Sequence, residues 1–352
     1  MSIETLLKKE SRIIDRAIER TIPRKLTTAW LLRALGRASF VRDARTCTES
    51  ISKPVWNLLD RGGKRWRPAL LLLCCEALGG SRKKALKFVA IPELAHNGSL
   101  IVDDVEDSSL MRRGKPALHV LFGQDLAINA GNTLYFLPLY PLFRNASGLD
   151  TKTKLKAYDV FCEEMLKLSF GQAMDIYWHK GKKRNVSEAD YLQMCDYKTG
   201  ALACMAAKLG AVLAKGTSHQ IEALGRFAGT IGVAFQIQDD ILNLKPSKGW
   251  GKEFGEDIRE GKRSLVLLRS LKCLAPADRK KLLKIVDAKK KSGTQVRQAI
   301  RLIAQTDAFD YASFVAAALV DTSWREVERL LPASKAKESL RLFADYLITR
   351  RI

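Results

Sequence analysis

Three features of this 352-residue sequence predict an all-α fold. Apolar residues recur at helical spacing through most of the chain. Glycine pairs and prolines punctuate the ends of those stretches. Alternating β-branched runs bounded by hairpin turns are missing. The expected architecture is many helices packed around one shared core.

Composition bounds the rest. The chain is 47% hydrophobic, ample for a large core, and holds only 10 Pro and 23 Gly. No long linker interrupts it. A single domain over residues 46–352 is expected, preceded by a helical extension over 1–45. Sixty Lys and Arg against 38 Asp and Glu give a net charge of +22. Such a balance attracts anions: phosphorylated small molecules, nucleic acid or an anionic membrane surface. The seven cysteines lack metal-ligand spacing, which suits a reducing compartment. No stretch reaches the roughly 18 apolar residues that span a bilayer. The expected location is therefore cytoplasmic, with peripheral contact to an anionic membrane left open.

The elements follow in order. "MSIETLLKKESRIIDRAIERTIPRKL" carries four acids and has Ile and Leu on one face, so it reads as an amphipathic helix and not a signal peptide. "SISKPVWNLLDRGG" is a short helix with a Gly-Gly stop, and "RPALLLLCCEALGG" starts on Pro68 and stops the same way. "KALKFVAIPELAHNGSLIVDDVED" is apolar on several faces and predicts a central buried helix. Further helices follow through "LKAYDVFCEEMLKLSFGQAMDIYW" and "IEALGRFAGTIGVAFQIQDDILNL" towards Ile352.

Two of these helices end in acid. Asp103, Asp104 and Asp107 stand at i, i+1 and i+4, so Asp103 and Asp107 share a face one turn apart. Like charges at that spacing repel by a few tenths of a kcal/mol, and something cationic must offset them. Carboxylates without His or Cys suit a hard ion such as Mg2+. Asp239 and Asp240 repeat the design after a second apolar helix, with Asn243 one turn on. The pair of clusters suggests two helices facing each other across a cavity, holding Mg2+ that carries a polyanion. Cations recur beside glycines: Lys64, Arg65 and Arg67 in "RGGKRWRP", Arg112 and Arg113 in "LMRRGKP", Lys198 with Thr199 in "YKTG", and Lys252 and Lys262 in "GKEFGEDIREGKRS". Mg2+ on one side and Arg or Lys on the other would clamp a diphosphate.

The ordered set "GGKRWRP", "ELAHNGSLIVDDVED", "RRGKPALH", "GQAMD", "KTGA", "FQIQDDILN" and "GKEFGEDIREGKRSL" resembles the trans-prenyl diphosphate synthases, from about Ser52 to Leu268. The resemblance implies a homodimeric helical bundle around a deep cavity. It implies head-to-tail joining of isopentenyl diphosphate to an allylic diphosphate (dimethylallyl, geranyl or farnesyl), with three Mg2+ ions per site. By motif, Asp103, Asp104 and Asp107 would bind Mg2+ on the allylic diphosphate, and Asp239 and Asp240 a further ion. Arg112, Lys198 and Lys262 would contact that diphosphate, helped by Lys252. Lys64, Arg67, His96 and Arg113 would hold isopentenyl diphosphate. Thr199 and Gln236 would aim oxygen dipoles at the allylic cation.

The second cluster departs from the common D-D-x-x-D by ending on Asn243, as in the geranylgeranyl-forming branch. Gly98 and Ser99, one turn before Asp103, are small, where farnesyl-forming relatives place an aromatic. Tyr135 and Phe136 resemble the bulky pair that closes the cavity in the geranylgeranyl branch. A C20 product is expected, with a C15 or longer-chain synthase as the nearest alternative. A class I terpene cyclase would not need the isopentenyl motifs, and a non-catalytic partner subunit would tend to lose an acid cluster. A nucleic-acid binder would show a recognised module, which the chain lacks.

Overall fold

The computed structural model describes residues 3–144, 148–183, 185–245 and 254–349. Two compact units divide the chain: Met1–Phe161 with Met205–Ile221 and Pro332–Ser339, and Cys162–Cys204 with Glu222–Leu331 and Leu340–Ile352.

The first unit is built from α1 (Ile3–Thr21), α2 (Thr28–Leu35), α3 (Ala44–Cys47), α4 (Lys53–Leu59), α5 (Trp66–Ala77), α6 (Arg82–Ala85), α7 (Ala90–Glu106), α8 (Leu118–Phe122), α9 (Gln124–Phe136) and α10 (Tyr140–Phe143). Every residue of α5 but Glu76 is buried, as its unbroken Leu-Cys run requires. Helix α7 packs on α5 and α9, and α1 packs on α5 and α7. Ile14 and Ile18 of α1 are buried, so the N-terminal helix shares this unit's core.

One buried ion pair ties these helices together. Arg65 and Glu93 side chains are each 4% exposed and 2.9 Å apart. Arg65 also reaches Asp15 of α1 at 2.8 Å and donates to the Leu59 carbonyl at the end of α4, at 2.9 Å.

The sequence shows no hairpin, yet the described residues contain one short ladder. Met111–Arg112 (β1) pairs antiparallel with Lys115–Pro116 (β2), Arg112 opposite Lys115. Its two-residue turn, Arg113-Gly114, takes positive φ at both positions, 50° and 71°. Such turns match the twist of paired strands. Periodicity cannot reveal it, because two residues per strand carry no period.

Helix α11 (Thr151–His179) begins in the first unit and ends in the second. There follow α12 (Glu188–Cys195), α13 (Ala201–Leu213), α14 (Ser218–Leu244), α15 (Glu256–Glu260), α16 (Leu265–Cys273), α17 (Pro276–Val286), α18 (Gly293–Ala304), α19 (Ala308–Leu330) and α20 (Lys335–Thr349). In the second unit α16 packs on α18 and α19, and α15 on α17 and α18. A π-helical turn, Asp196–Gly200, joins α12 to α13 and carries Lys198 and Thr199, and another, Thr48–Ser52, joins α3 to α4. Such widened turns concentrate at functional sites. No described helix is long and apolar enough to cross a membrane.

Truncating Arg65 to Ala would leave Glu93 buried without its ion partner. The expected loss is about 3–5 kcal/mol in urea unfolding. Removing the half-exposed Asp15 partner should cost only about 1 kcal/mol or less. Equal costs for the two variants would show that burial of the Glu93 pair is not what matters.

Candidate functional site

The first unit gathers cations along α7. Gly62 and Arg65 take left-handed backbone, at φ 86° and 47°, in the loop between α4 and α5. Lys64 is exposed on that loop. Arg67, in the first turn of α5, is buried with its Cζ 4.2 Å from the Trp66 ring centroid. Its Nε has no hydrogen-bond partner. Burial brings its pKa down to about 10. Arg113 donates from Nη1 to the carbonyls of Gly62 at 2.6 Å and Leu58 at 3.3 Å. Burial brings its pKa down to about 10 as well. Burial also holds His96 well below the usual imidazole range, followed by the charges of Arg67 and Arg113. A neutral imidazole beside two desolvated guanidinium groups suits an anion.

Acid follows on the same helix. Arg112 donates from Nε to Asp104 Oδ1 at 2.7 Å, and its Nη2 lies 3.6 Å from Asp103 Oδ2. Burial pushes the Asp104 carboxyl up, and the Arg112 hydrogen bond opposes that push. Asp107 caps α7, its N–H donating to the Asp103 carbonyl at 2.9 Å. Arg112 thus supplies the cation that the crowded carboxylates demand.

The size-setting candidates separate in space. Gly98 lies where α7 crosses α9: an added Cβ would stand 2.9 Å from Leu134 Cβ and 3.3 Å from Tyr135 Cδ1. The crossing itself therefore requires a small residue at 98. Ser99 donates its hydroxyl to the His96 carbonyl at 2.8 Å. Tyr135 is raised by burial and by the charges of Glu106 and Asp103, which places it beside the first acid cluster. Phe136 is 72% exposed.

The second unit holds a hydrogen-bonded chain. Thr199 Oγ1 donates to Gln236 Oε1 at 3.0 Å, and Gln236 Nε2 donates to Asp240 Oδ1 at 2.9 Å. Tyr191 closes the chain, donating its hydroxyl to Asp240 Oδ2 at 2.6 Å. Burial, with Asp257 nearby, pushes Asp240 up to about 7. Lys198 pairs with Asp175 at 2.5 Å, and Lys262 with Glu260 at 2.5 Å. His179 feels the charges of both Lys198 and Lys262, so the two lysines share a neighbourhood. Asp239 is half-buried beside Asp240 on α14. Lys252 lies outside the described residues.

Sequence reasoning missed Asp175, Tyr191 and Asp257. Asp175 was within the "GQAMD" motif, and the need of Lys198 for a partner was its only signal. Gly171 of that motif has a steric role: an added Cβ would stand 2.3 Å from the Lys198 backbone nitrogen. Asn243 is buried and accepts the Asp257 N–H at 3.2 Å, so it positions the segment that carries Asp257.

The donors fit a hard divalent cation. Both clusters offer carboxylate oxygen alone, and buried Asp240 next to Asp257 is a concentration of negative charge that a cation relieves. Among the described residues, no three His, Cys, Asp or Glu side chains are placed to hold a metal by themselves.

Helical apart from one short ladder among its described residues, and similar along most of its length to curated prenyltransferases, the chain is itself a prenyltransferase. The polyprenyl synthetase family model matches residues 48–303, and the chain belongs to that family. It is therefore a trans-prenyl diphosphate synthase. It is 34% identical to a short chain isoprenyl diphosphate synthase of Methanothermobacter thermautotrophicus, over 99% of each chain. It is 34% identical to a geranylfarnesyl diphosphate synthase of Aeropyrum pernix, over 88% of this chain and 98% of that one. The structure of a geranylgeranyl pyrophosphate synthetase from Pyrococcus horikoshii superposes with a TM-score of 0.84 at 31% identity, covering 99% of this chain and 98% of that one.

Two expectations follow. The lowered imidazole pKa means that unfolding takes up a proton below about pH 6.5. Native stability should therefore fall as pH drops from about 6.5, and His96→Asn should fall less steeply in pH-dependent thermal melts. Parallel curves would show that His96 is not desolvated. Gly171→Ala should displace Lys198 and lower kcat/KM by about a hundredfold, as misplacement of a positioning group does. Unchanged kinetics would remove the steric role of Gly171.

Proposed function

We propose that the chain condenses isopentenyl diphosphate head-to-tail with an allylic diphosphate, depends on Mg2+ at about three ions per site, and makes geranylgeranyl diphosphate. The observation that carries this reading is the buried Arg67 guanidinium, with its partnerless Nε beside neutral His96 and Arg113. A class I terpene cyclase has no second diphosphate to hold there.

In this reading Lys64, Arg67, His96 and Arg113 hold the diphosphate of isopentenyl diphosphate. Neutral His96 adds a hydrogen-bond donor without adding repulsion to its arginine neighbours. Arg112, Lys198 and Lys262 take up the charge that grows on the allylic diphosphate as its C–O bond breaks. Lys252, named by motif, would assist them. Asp103, Asp104 and Asp107 would hold Mg2+, as would Asp239 and Asp240. When bound, the ion acts as a Lewis acid on the leaving diphosphate. Thr199 donates its hydroxyl hydrogen bond to Gln236 Oε1. Its oxygen can then offer only lone pairs to the allylic cation. The isopentenyl double bond attacks that cation, and the departing diphosphate takes the proton released. Water would quench the cation, so it must be excluded.

Product length turns on the residues near Gly98. The approach of Tyr135 to Gly98, where an added Cβ would stand 3.3 Å from its Cδ1, supports it as the floor, whereas Phe136 is exposed on the single chain. The likeness to a geranylfarnesyl synthase favours C25 as the second reading. A homodimer fits the exposed apolar residues Val120, Leu121 and Phe136 of the first unit.

The deciding experiment incubates the protein with Mg2+, isopentenyl diphosphate and each allylic starter, then reads alcohol chain length after phosphatase treatment. The expected product is C20, lost on chelation. Tyr135→Ala should lengthen it by at least one C5 unit, and Phe136→Ala should do so less. A C25 product from the wild type would support the second reading, and no condensation would sink both.

A further inference from the structure

The N-terminal segment between α2 and α3 has no role in the chemistry above. Helix α2 is anchored on one face only. Leu26, Trp30, Leu31 and Ala34 form a buried cluster, against which Tyr140, Leu137, Ala44 and Cys47 pack. Arg144 Nη2 donates to the Ala34 carbonyl at 3.1 Å, fixing the end of the helix. Leu32 and Leu35 lie on the other face, 44% and 77% exposed. The loop that follows is closed at its neck, where Arg42 Nη2 donates to the Gly36 carbonyl at 3.0 Å. Phe40 and Val41 stand near the closure, 90% and 94% exposed. These are the two most exposed large apolar side chains of the described residues, on a loop tied to a packed base.

Charge accompanies them. From Leu32 to Arg45 the chain has four arginines and a single acid, Asp43. That acid caps α3, accepting the Thr46 N–H at 2.9 Å. Arg33 and Arg37 are exposed among the apolar residues.

We infer that the segment from Leu32 to Arg45 is a membrane-docking element that inserts Phe40 and Val41 into an anionic lipid surface. Apolar side chains interleaved with arginine suit the boundary of acyl chains and acidic headgroups. Charge complementarity favours acidic lipid over a second copy of this chain, which carries a net charge of +22. Two apolar side chains this nearly wholly exposed also fit a yielding surface better than a rigid one. The inference rests on the reading of the product as a long prenyl diphosphate for its purpose, since such a tail must pass from protein to lipid. The flotation that tests it needs no substrate.

The test floats the full-length protein with vesicles of phosphatidylcholine alone, or of an equimolar mixture with phosphatidylglycerol. The wild type is expected to float with the mixed vesicles and not with the neutral ones. Phe40→Ser/Val41→Ser and Arg33→Gln/Arg37→Gln should each bind at least about tenfold more weakly. Both pairs are exposed, so circular dichroism, sedimentation mass and condensation of the soluble substrates should stay as in the wild type. Equal flotation of wild type and variants would overturn the proposal, as would wild-type binding to neutral vesicles alone or to neither. A changed mass in the apolar variant with unchanged flotation would assign the patch to a second copy and overturn it too. Failure of condensation in the wild type would sink the proposed reaction while leaving the vesicle result readable.

Discussion

The buried pair Arg65–Glu93 sets the geometry on which the first unit depends. An ion pair 4% exposed on both sides costs desolvation that its own attraction barely offsets. Further hydrogen bonds tip the balance. Asn97 Nδ2 donates to Glu93 Oε1 at 3.1 Å, and Arg65 donates to Leu59 and Asp15. The consequence is positional. With Arg65 fixed to α7, α5 starts at the very next residue, and Arg67 and His96 are brought close enough for the Arg67 charge to act on the imidazole.

Helix α7 organises its polar residues as two neighbouring stripes. Glu93, Asn97 and Asp104 are all buried, at spacings of four and seven residues. His96, Asp103 and Asp107 follow the next line of the same helix and are more open. The buried stripe is compensated inside the protein by Arg65 and Arg112. The open stripe is where ligand charge can take over. The same division recurs on α14, where Tyr191 and Gln236 satisfy buried Asp240 while Asp239 is partly accessible.

Helical class and the order of the motifs were legible because they depend on period and local residue type. The motifs named Lys198 and Asp240 without the pairing that gives each its state. Asp175 is 23 residues from Lys198, and Tyr191 is 49 from Asp240. Such partners are chosen by packing, and nothing local marks them. Phe136 was read with Tyr135 as one unit, yet adjacent helical positions differ by about 100° and enter different surroundings. The hairpin at Arg112 and Arg113 was hidden for a different reason: its information lies in two positive φ angles, not in a pattern.

Asn243 shows how local charge decides a motif's last letter. A carboxylate at this buried position would add a further negative group near Asp240 and Asp257. Asp240 is already pushed up to about 7 by burial and by Asp257. Another acid would raise the proton affinity of Asp240 further while no cation is bound. The amide avoids that. Its Oδ1 still accepts the Asp257 N–H, and its carbonyl accepts the Gly255 N–H at 3.0 Å. An aspartate at 243 would keep both contacts, so what the amide changes is the charge beside Asp240, at the cost of a buried Nδ2 without a hydrogen-bond partner.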